Sequence, residues 1–459
     1  MQPALESMNF FRISAFFASA ALPLAAQTPV SYSKDIAPIL RRQCVGCHQP
    51  QSSQAGLLLT SHAAFLKGGN KGPGFVPGKP DDSIAVQYLT GKIAPRMPFG
   101  GKPLPDEQIE LFRRWVTEGA KDDSQGQTTS AAPALKPVVY HAPPLLTAFS
   151  YSPDGRTIAV AGYREIFLTA PDGKLIARLP GISPRIHSIS FSADGKIIAA
   201  VGGEPARFGE VQIWDVAARK QLHSIVVGND TLFGGSLSPD GKFLACGSAD
   251  KSIRVFDVET GKEARKMDHH EDWVLATVYG IDGKRIVTVG RDRAAKLIDA
   301  STGRFIENVN LLRDSLTAIA RHPKKDWVLI GGAERIPYLY RMDRPRAMRI
   351  ADDSTLLRKF EKQDGAILSL AISPDGAKIA VGAEAGDVRI YNAETGDLVA
   401  RCGGHEGGTF ALQFSPDGAL LGAGGYDGKL RLYDATGKQV REFVAAPLHT
   451  ASASRGTAQ

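Results

Sequence analysis

The residues best suited to chemistry stand close together near the N-terminus, in the run Arg42-Gln43-Cys44-Val45-Gly46-Cys47-His48. Two thiols three positions apart can each form a thioether with one vinyl group of a porphyrin, and the adjacent imidazole then lies under the ring to ligate iron. Cys-x-x-Cys-His is the attachment signature of a c-type haem. Cys44 and Cys47 are therefore the expected covalent anchors of one haem c, and His48 the proximal iron ligand. Two other chemistries use Cys-x-x-Cys. Half of a zinc site would need a second pair, and Cys246 and Cys402 are far away and not arranged as one. A redox disulfide of the thioredoxin kind needs a βαβ context that the flanking sequence lacks.

The elements that must hold these groups are helical. Ser33 to Gln43 reads as a helix, with Ile36, Ile39 and Leu40 on one stripe just before the cysteines. Asp82-Ser83 is a cap for a short helix through Tyr88 and Leu89. Leu104-Pro105-Asp106-Glu107 opens another, on which Ile109, Phe112, Trp115 and Val116 share a face and which Gly119 ends. Trp115 is expected in the core. Between them, Ile93-Ala94-Pro95-Arg96-Met97-Pro98-Phe99 is proline-bounded and cannot be helical. Met97 lies 49 residues after His48 and is the only methionine between it and Gly119. A thioether presented by such a loop is the expected sixth iron ligand, with core filler as the plain alternative. His62 is the rival ligand, although its place at the start of an apolar stretch suggests a cap or a surface residue.

Together Asp35-Ile36-x-Pro38-Ile39-Leu40, Cys44-x-x-Cys47-His48, Gly68-Gly69, Pro77-Gly78, Met97-Pro98 and Trp115-x-x-x-Gly119-Ala120 resemble the planctomycete-type cytochrome c domain. The resemblance covers residues 30–120 and implies a small all-α cytochrome with haem iron ligated by His48 and Met97, and an electron-transfer role.

The chain has 459 residues, 43% of them hydrophobic and 22% charged, so more than one domain is expected. A formal charge of +7 is spread over the length without a basic helix or zinc module, which argues against nucleic acid as a partner. Arg12, the apolar run Ile13 to Leu24 and Ala25-Ala26-Gln27 read as a signal peptide over residues 1–26. The run is short for a membrane span. A periplasmic or secreted location is expected, which agrees with attached haem. Residues 121–137 read as a linker and 447–459 as a disordered tail.

Residues 138–446 are repetitive. Ser-Pro-Asp-Gly or a variant starts at positions 152, 192, 238, 280, 322, 373 and 415, giving seven units. Each unit reads as strand, tight turn, strand, small-residue turn, strand, and the third strand usually ends on an aromatic or aliphatic residue followed by Asp or Asn. These units resemble WD repeats, and seven imply an all-β seven-bladed propeller. In that family an Asp before the third strand, here Asp250, Asp292, Asp387 or Asp427, bonds a histidine ahead of the first, and His270 and His405 sit suitably. His269-His270-Glu271-Asp272 is therefore read as structural rather than as a metal cluster. Cys246 and Cys402 are expected to be separate buried thiols. The fifth unit departs furthest, and the insertion after it carries Arg341, Arg344, Arg346 and Arg349, either a docking surface for an acidic partner or a solvated edge. The outer strand of the last blade could come from Lys136 to Tyr140 or from Lys438 to Val444.

The sequence thus describes a multidomain, exported electron carrier whose redox partner is a protein and whose propeller is a platform for other proteins. It lacks an evident catalytic pair, so a non-enzyme is expected. The alternatives are an oxidoreductase with its catalytic site on the propeller and a haem-based redox sensor.

Overall fold

The computed structural model describes residues 28–45, 47–49, 52–59, 61–123, 138–228, 230–342 and 352–449. The expected signal segment, most of the linker, Arg344, Arg346, Arg349 and the tail beyond 449 lie outside the described residues.

The N-terminal unit is built on short helices. The Ser31 hydroxyl accepts the Lys34 N–H and starts a π-helical turn, Tyr32–Ile36, which runs into helix α1, Ala37–Gln43. The expected single helix is thus two geometries in series, joined where Pro38, lacking an N–H, fits a first helical turn. Helix α2, His62–Lys67, is capped by the Ser61 hydroxyl, which accepts the Ala64 N–H at 3.1 Å. Ser83 immediately precedes helix α3, Ile84–Thr90, but does not cap it. Its buried hydroxyl accepts from the Val76 N–H and donates to the Lys79 carbonyl, both at 2.8 Å. Loop closure outcompetes capping here. Helix α4, Asp106–Thr117, begins after Pro105 with two acidic residues at its positive dipole end. The expectation of an all-α unit is met only in part, because a two-residue hairpin pairs His48–Gln49 with Ser52–Ser53.

Trp115, 1% exposed, is the hub of this unit. Phe75 meets it edge-on at 4.8 Å, Phe65 stacks at 6.2 Å and Tyr32 lies at 5.5 Å, so α4, α2, the π turn and the intervening loop share one aromatic contact. Its indole N–H donates to the Lys121 carbonyl at 3.1 Å. Asp123 then accepts from the Ser31 hydroxyl and the Ser33 N–H, tying the exit of the unit to its entrance.

Residues 138–449 form seven four-stranded antiparallel sheets, each made of four strands consecutive in sequence. The first strands, Phe149–Tyr151, Arg185–Phe191, Leu232–Leu237, Val274–Tyr279, Leu316–Arg321, Ile367–Ile372 and Thr409–Phe414, touch their neighbours around the axis, and the last touches the first. This is a seven-bladed propeller. The repeated turn has a local cause. In blade 1 the Ser152 hydroxyl donates to Asp154 and accepts the Thr157 N–H, while Gly155 takes the left-handed φ of +69° that the turn demands. In blade 5, which has lost this serine and glycine, His322 substitutes, its Nδ1 accepting the N–H groups of Lys324 and Lys325 at 3.0 Å. Where the third strand ends at an acid, it also acts locally: Asp257 accepts from the Thr260 N–H at 2.7 Å and Asp434 from the Thr436 N–H at 2.9 Å, turning the chain toward the outer strand.

The ring closes without exchanging a strand. Gln439–Phe443 is the outer strand of blade 7, and Tyr140 meets Leu448 in a single parallel bridge. The seam is apolar: Leu146, Phe149, Ile158 and Phe167 of one end pack with Leu430, Leu432, Ala445 and Ala446 of the other. Gly424 leaves the space, since a Cβ there would lie 2.5 Å from Leu146 Cδ2. Leu146→Ala should lower the unfolding free energy by about 2–5 kcal/mol. Chemical denaturation of the full chain measures this, and a loss below about 1 kcal/mol would place the closing energy elsewhere.

Candidate functional site

The carbonyl of Leu40, in α1, accepts the N–H groups of Cys44 (2.9 Å) and Val45 (3.0 Å), so the cysteine run begins as a continuation of the helix. Val45 is fully buried and anchors the segment; Cys44 is half-buried and Cys47 exposed, and both are free thiols. Burial, with the neighbouring Cys47 sulfur adding to it, pushes the Cys44 thiol up to about 12. Cys44 is therefore a protonated thiol at neutral pH, unlike the low-pKa cysteine of a redox disulfide. His48 is 9% exposed, and burial holds its pKa below the usual imidazole value against the pull of backbone groups at Leu57 and Gln54. Its Nδ1 is buried without a hydrogen-bond partner.

Met97 lies on the loop between α3 and α4. Its N–H donates to the Tyr88 carbonyl at 3.1 Å, and its half-buried side chain packs on the same apolar cluster as Cys44 and Val45. The structure thus brings Cys44 and Met97, more than fifty positions apart in the chain, onto one cluster. The residue types fit a covalent haem: two free thiols, a neutral imidazole with an unpartnered buried nitrogen, and a thioether on the shared wall. His62 is neither a free ligand nor a surface residue. Its Nε2 lies 2.8 Å from the Ala120 carbonyl, and its ring is wedged among Tyr32, Phe75 and Trp115.

In the propeller, His270 is structural. Its Nδ1 lies 2.9 Å from both oxygens of Asp292 and its Nε2 lies 2.8 Å from the Thr288 hydroxyl. Burial raises the pKa of Asp292, but the bond and charge of His270, the Glu271 N–H and the Lys296 charge together outweigh it and hold the carboxyl at about 2. Blade 7 differs from expectation. Arg431 stands between the two expected partners, 2.6 Å from Asp427 and 3.0 Å from His405 Nδ1. Asp387 also plays another part, accepting from Arg389 on the strand that it precedes. Arg431 and Arg389 belong to a set that the sequence reading missed. Arg254, Lys296, Arg389 and Arg431 occupy the same place in the third strands of blades 3, 4, 6 and 7, and each meets an Asp of its own blade. The available signal was a cation at an inward-facing position between two aliphatic residues. Cys246 and Cys402 are separate buried thiols, each raised to about 12 by burial.

One mouth of the central channel holds a cavity of about 530 Å³, lined by Tyr151, Ile189, Phe191, Leu370, Gln413 and Phe414 among others. Its lining contains no Asp, Glu, His, Lys, Arg or Cys. No helix among the described residues is long and apolar enough to cross a membrane.

Comparison with known families bears on both parts. Residues 44–98 match the family described as Planctomycete cytochrome C. Residues 223–257 and 396–434 match the WD domain, G-beta repeat, and residues 320–409 the anaphase-promoting complex subunit 4 WD40 domain. A segment similar to that cytochrome family thus precedes a seven-bladed propeller, parts of which are similar to WD repeats. Among curated proteins, the chain is similar to the U3 small nucleolar RNA-associated protein 18 homolog of Homo sapiens, 31% identical over 121 residues, which cover 25% of this chain and 20% of that protein. It is similar to Protein groucho of Drosophila melanogaster, 25% identical over 120 residues (25% of this chain, 16% of that protein). It is also similar to WD repeat-containing protein VIP3 of Arabidopsis thaliana, 28% identical over 117 residues (23% and 36%). The chain spans at most 36% of the length of these three relatives.

Two half-buried histidines of the propeller should make it less stable in acid. Burial, helped by Arg185, pushes His187 down to about 4, and burial followed by the Arg431 charge does the same to His405. The unfolded chain takes up these protons near pH 6.5, whereas the folded chain resists until about pH 4. Stability is therefore complete above pH 6.5 and falls between 6.5 and 4, by on the order of 3 kcal/mol per histidine. Urea unfolding across this range should follow that slope, and His405→Asn should flatten it; an unchanged slope would exclude His405 as a contributor.

Proposed function

We propose that this protein is an exported c-type cytochrome that passes electrons to and from a protein partner, with the WD-repeat propeller as its interaction platform. The observation that carries the reading is the placement of Cys44 and Met97 on one apolar cluster, with the buried imidazole of His48 next to the cysteine pair. Cys44 and Cys47 would hold the porphyrin through thioethers, and His48 and Met97 would ligate its iron. When bound, haem c supplies an iron that accepts and gives up one electron. Val45, Leu40 and Leu59 exclude water from the wall on which it would rest, and the loop anchored at Tyr88 presents the Met97 sulfur. The signal-like segment at residues 1–26 supports export, where haem attachment takes place.

A binding role for the propeller is supported by the WD-repeat matches. The alternatives are an oxidoreductase with its site on the propeller and a haem sensor, the latter needing an open or displaceable sixth position that Met97 as an iron ligand would disfavour.

Full-length protein made in a host with a haem-attachment system should keep its haem through denaturing electrophoresis, and Cys44→Ser with Cys47→Ser should lose it. A colourless wild-type band would sink the cytochrome reading. In the holoprotein, Met97→Ala should abolish the sulfur-to-iron absorption band and lower the reduction potential. An unaltered spectrum would remove Met97 from the iron.

A further inference from the structure

The most exposed large apolar side chain among the described residues is Phe99, at 77%. It stands two positions after Met97 on a loop that is held in place: Met97 N–H to the Tyr88 carbonyl, Arg96 Nε to the Leu89 carbonyl at 3.2 Å, and Gly101 N–H to the Pro98 carbonyl at 3.3 Å. An aromatic ring held in water on a fixed loop serves no packing purpose within the unit; a single exposed apolar side chain is common, and what sets this one apart is its place two residues from Met97 on a loop of uniform charge. The loop's own charge has one sign. Residues 91–103 include Lys92, Arg96 and Lys102, all exposed, and no Asp or Glu. Lys71, also exposed, joins them through its bond to the Tyr88 hydroxyl at 2.7 Å, the residue whose carbonyl holds Met97. Asp81, which feels the Lys92 charge, is bonded to Arg113 at 3.0 Å.

We propose that loop 91–103 is the electron-transfer docking surface, and that Phe99, rimmed by Lys71, Lys92, Arg96 and Lys102, seats in an apolar patch surrounded by Asp and Glu on a redox protein. An apolar centre with a charged rim suits a short-lived redox encounter, in which long-range attraction speeds approach and a small contact allows release. The inference rests on the cytochrome reading above. With haem bound, Met97 would hold the iron and the transfer would be of one electron from a reduced partner to ferric haem, with no bond made or broken and no proton moved; a partner seated on Phe99 would then lie two residues along the chain from an iron ligand.

The test uses the full-length holoprotein and an acidic flavodoxin as probe, with binding read by interferometry and haem retention by denaturing electrophoresis. Binding should weaken about tenfold or more as salt rises from about 20 to about 200 mM. Lys92→Glu with Lys102→Glu should cause a similar loss at low salt, and Phe99→Ser a several-fold loss that leaves the salt dependence intact. Lys251→Glu with Lys262→Glu, on the propeller, changes the net charge equally and should bind as wild type. Equal weakening by both double variants, or unchanged binding by the loop variants with haem retained, would overturn the proposal. So would phosphatidylglycerol vesicles that bind wild type but not Phe99→Ser, while flavodoxin binds both alike. A wild-type protein without covalent haem is a separate result on the gel, and it removes the reading on which the proposal stands.

Discussion

Each blade of the propeller can bury its two faces only against its neighbours, so the whole β part depends on blade 7 meeting blade 1. Many residues contribute to the blades, but that meeting rests on a few: Leu146, Phe149 and Phe167 from the start of the ring, and Leu430 and Leu432 from its end. The contact is hydrophobic and carries a single strand-like bridge, Tyr140 to Leu448. A ring closed in this way has no exchanged strand to hold it shut. Its cohesion comes from area removed from water and from a few hydrogen bonds across the seam, the Leu146 N–H donating to the Gly425 carbonyl at 3.1 Å and the Tyr151 N–H to Gln413 Oε1 at 2.9 Å.

The repeat architecture was legible because its cause is local. Ser-Pro-Asp-Gly builds its own turn from its own hydroxyl, carboxylate and glycine, and where an Asp or Asn ends the third strand it turns the chain that follows. These signals do not depend on distant residues, so seven of them gave seven blades. The substitution of His322 for serine in blade 5 kept the spacing while hiding the chemistry. What was not legible is what happens between elements. His405 and Asp427 lie in sequence where a His–Asp pair belongs, and only the packed blade reveals that the Arg431 guanidinium has come between them. Ring closure was undecidable from sequence for the same reason, since two segments of equal strand character competed for one edge.

In the N-terminal unit the balance differs. The helix carrying Trp115 could be read directly, because helical periodicity imposes a fixed spacing on its apolar face. Ser83 and His62 could not. Ser83 has a capping residue's type and position, yet its hydroxyl is drawn to Val76 and Lys79, where a tight loop would otherwise leave buried polar groups unpaired. His62 looked like a helix-start residue, and it became a wedge because three aromatic rings converge on it. In a unit this small, one misassigned polar side chain alters the reading of a whole wall.

The seam has a consequence for how the molecule comes into being. Its two sides are almost the entire propeller apart in sequence, so the closing contact is among the longest-range contacts in the chain. Until the seventh repeat has left the ribosome, the first six form an open arc with a bare apolar edge at Leu146 and Phe149. The helical unit upstream, whose contacts span fewer than a hundred residues, is free of that wait. Its cysteines can be folded and presented while the arc behind them is still unfinished.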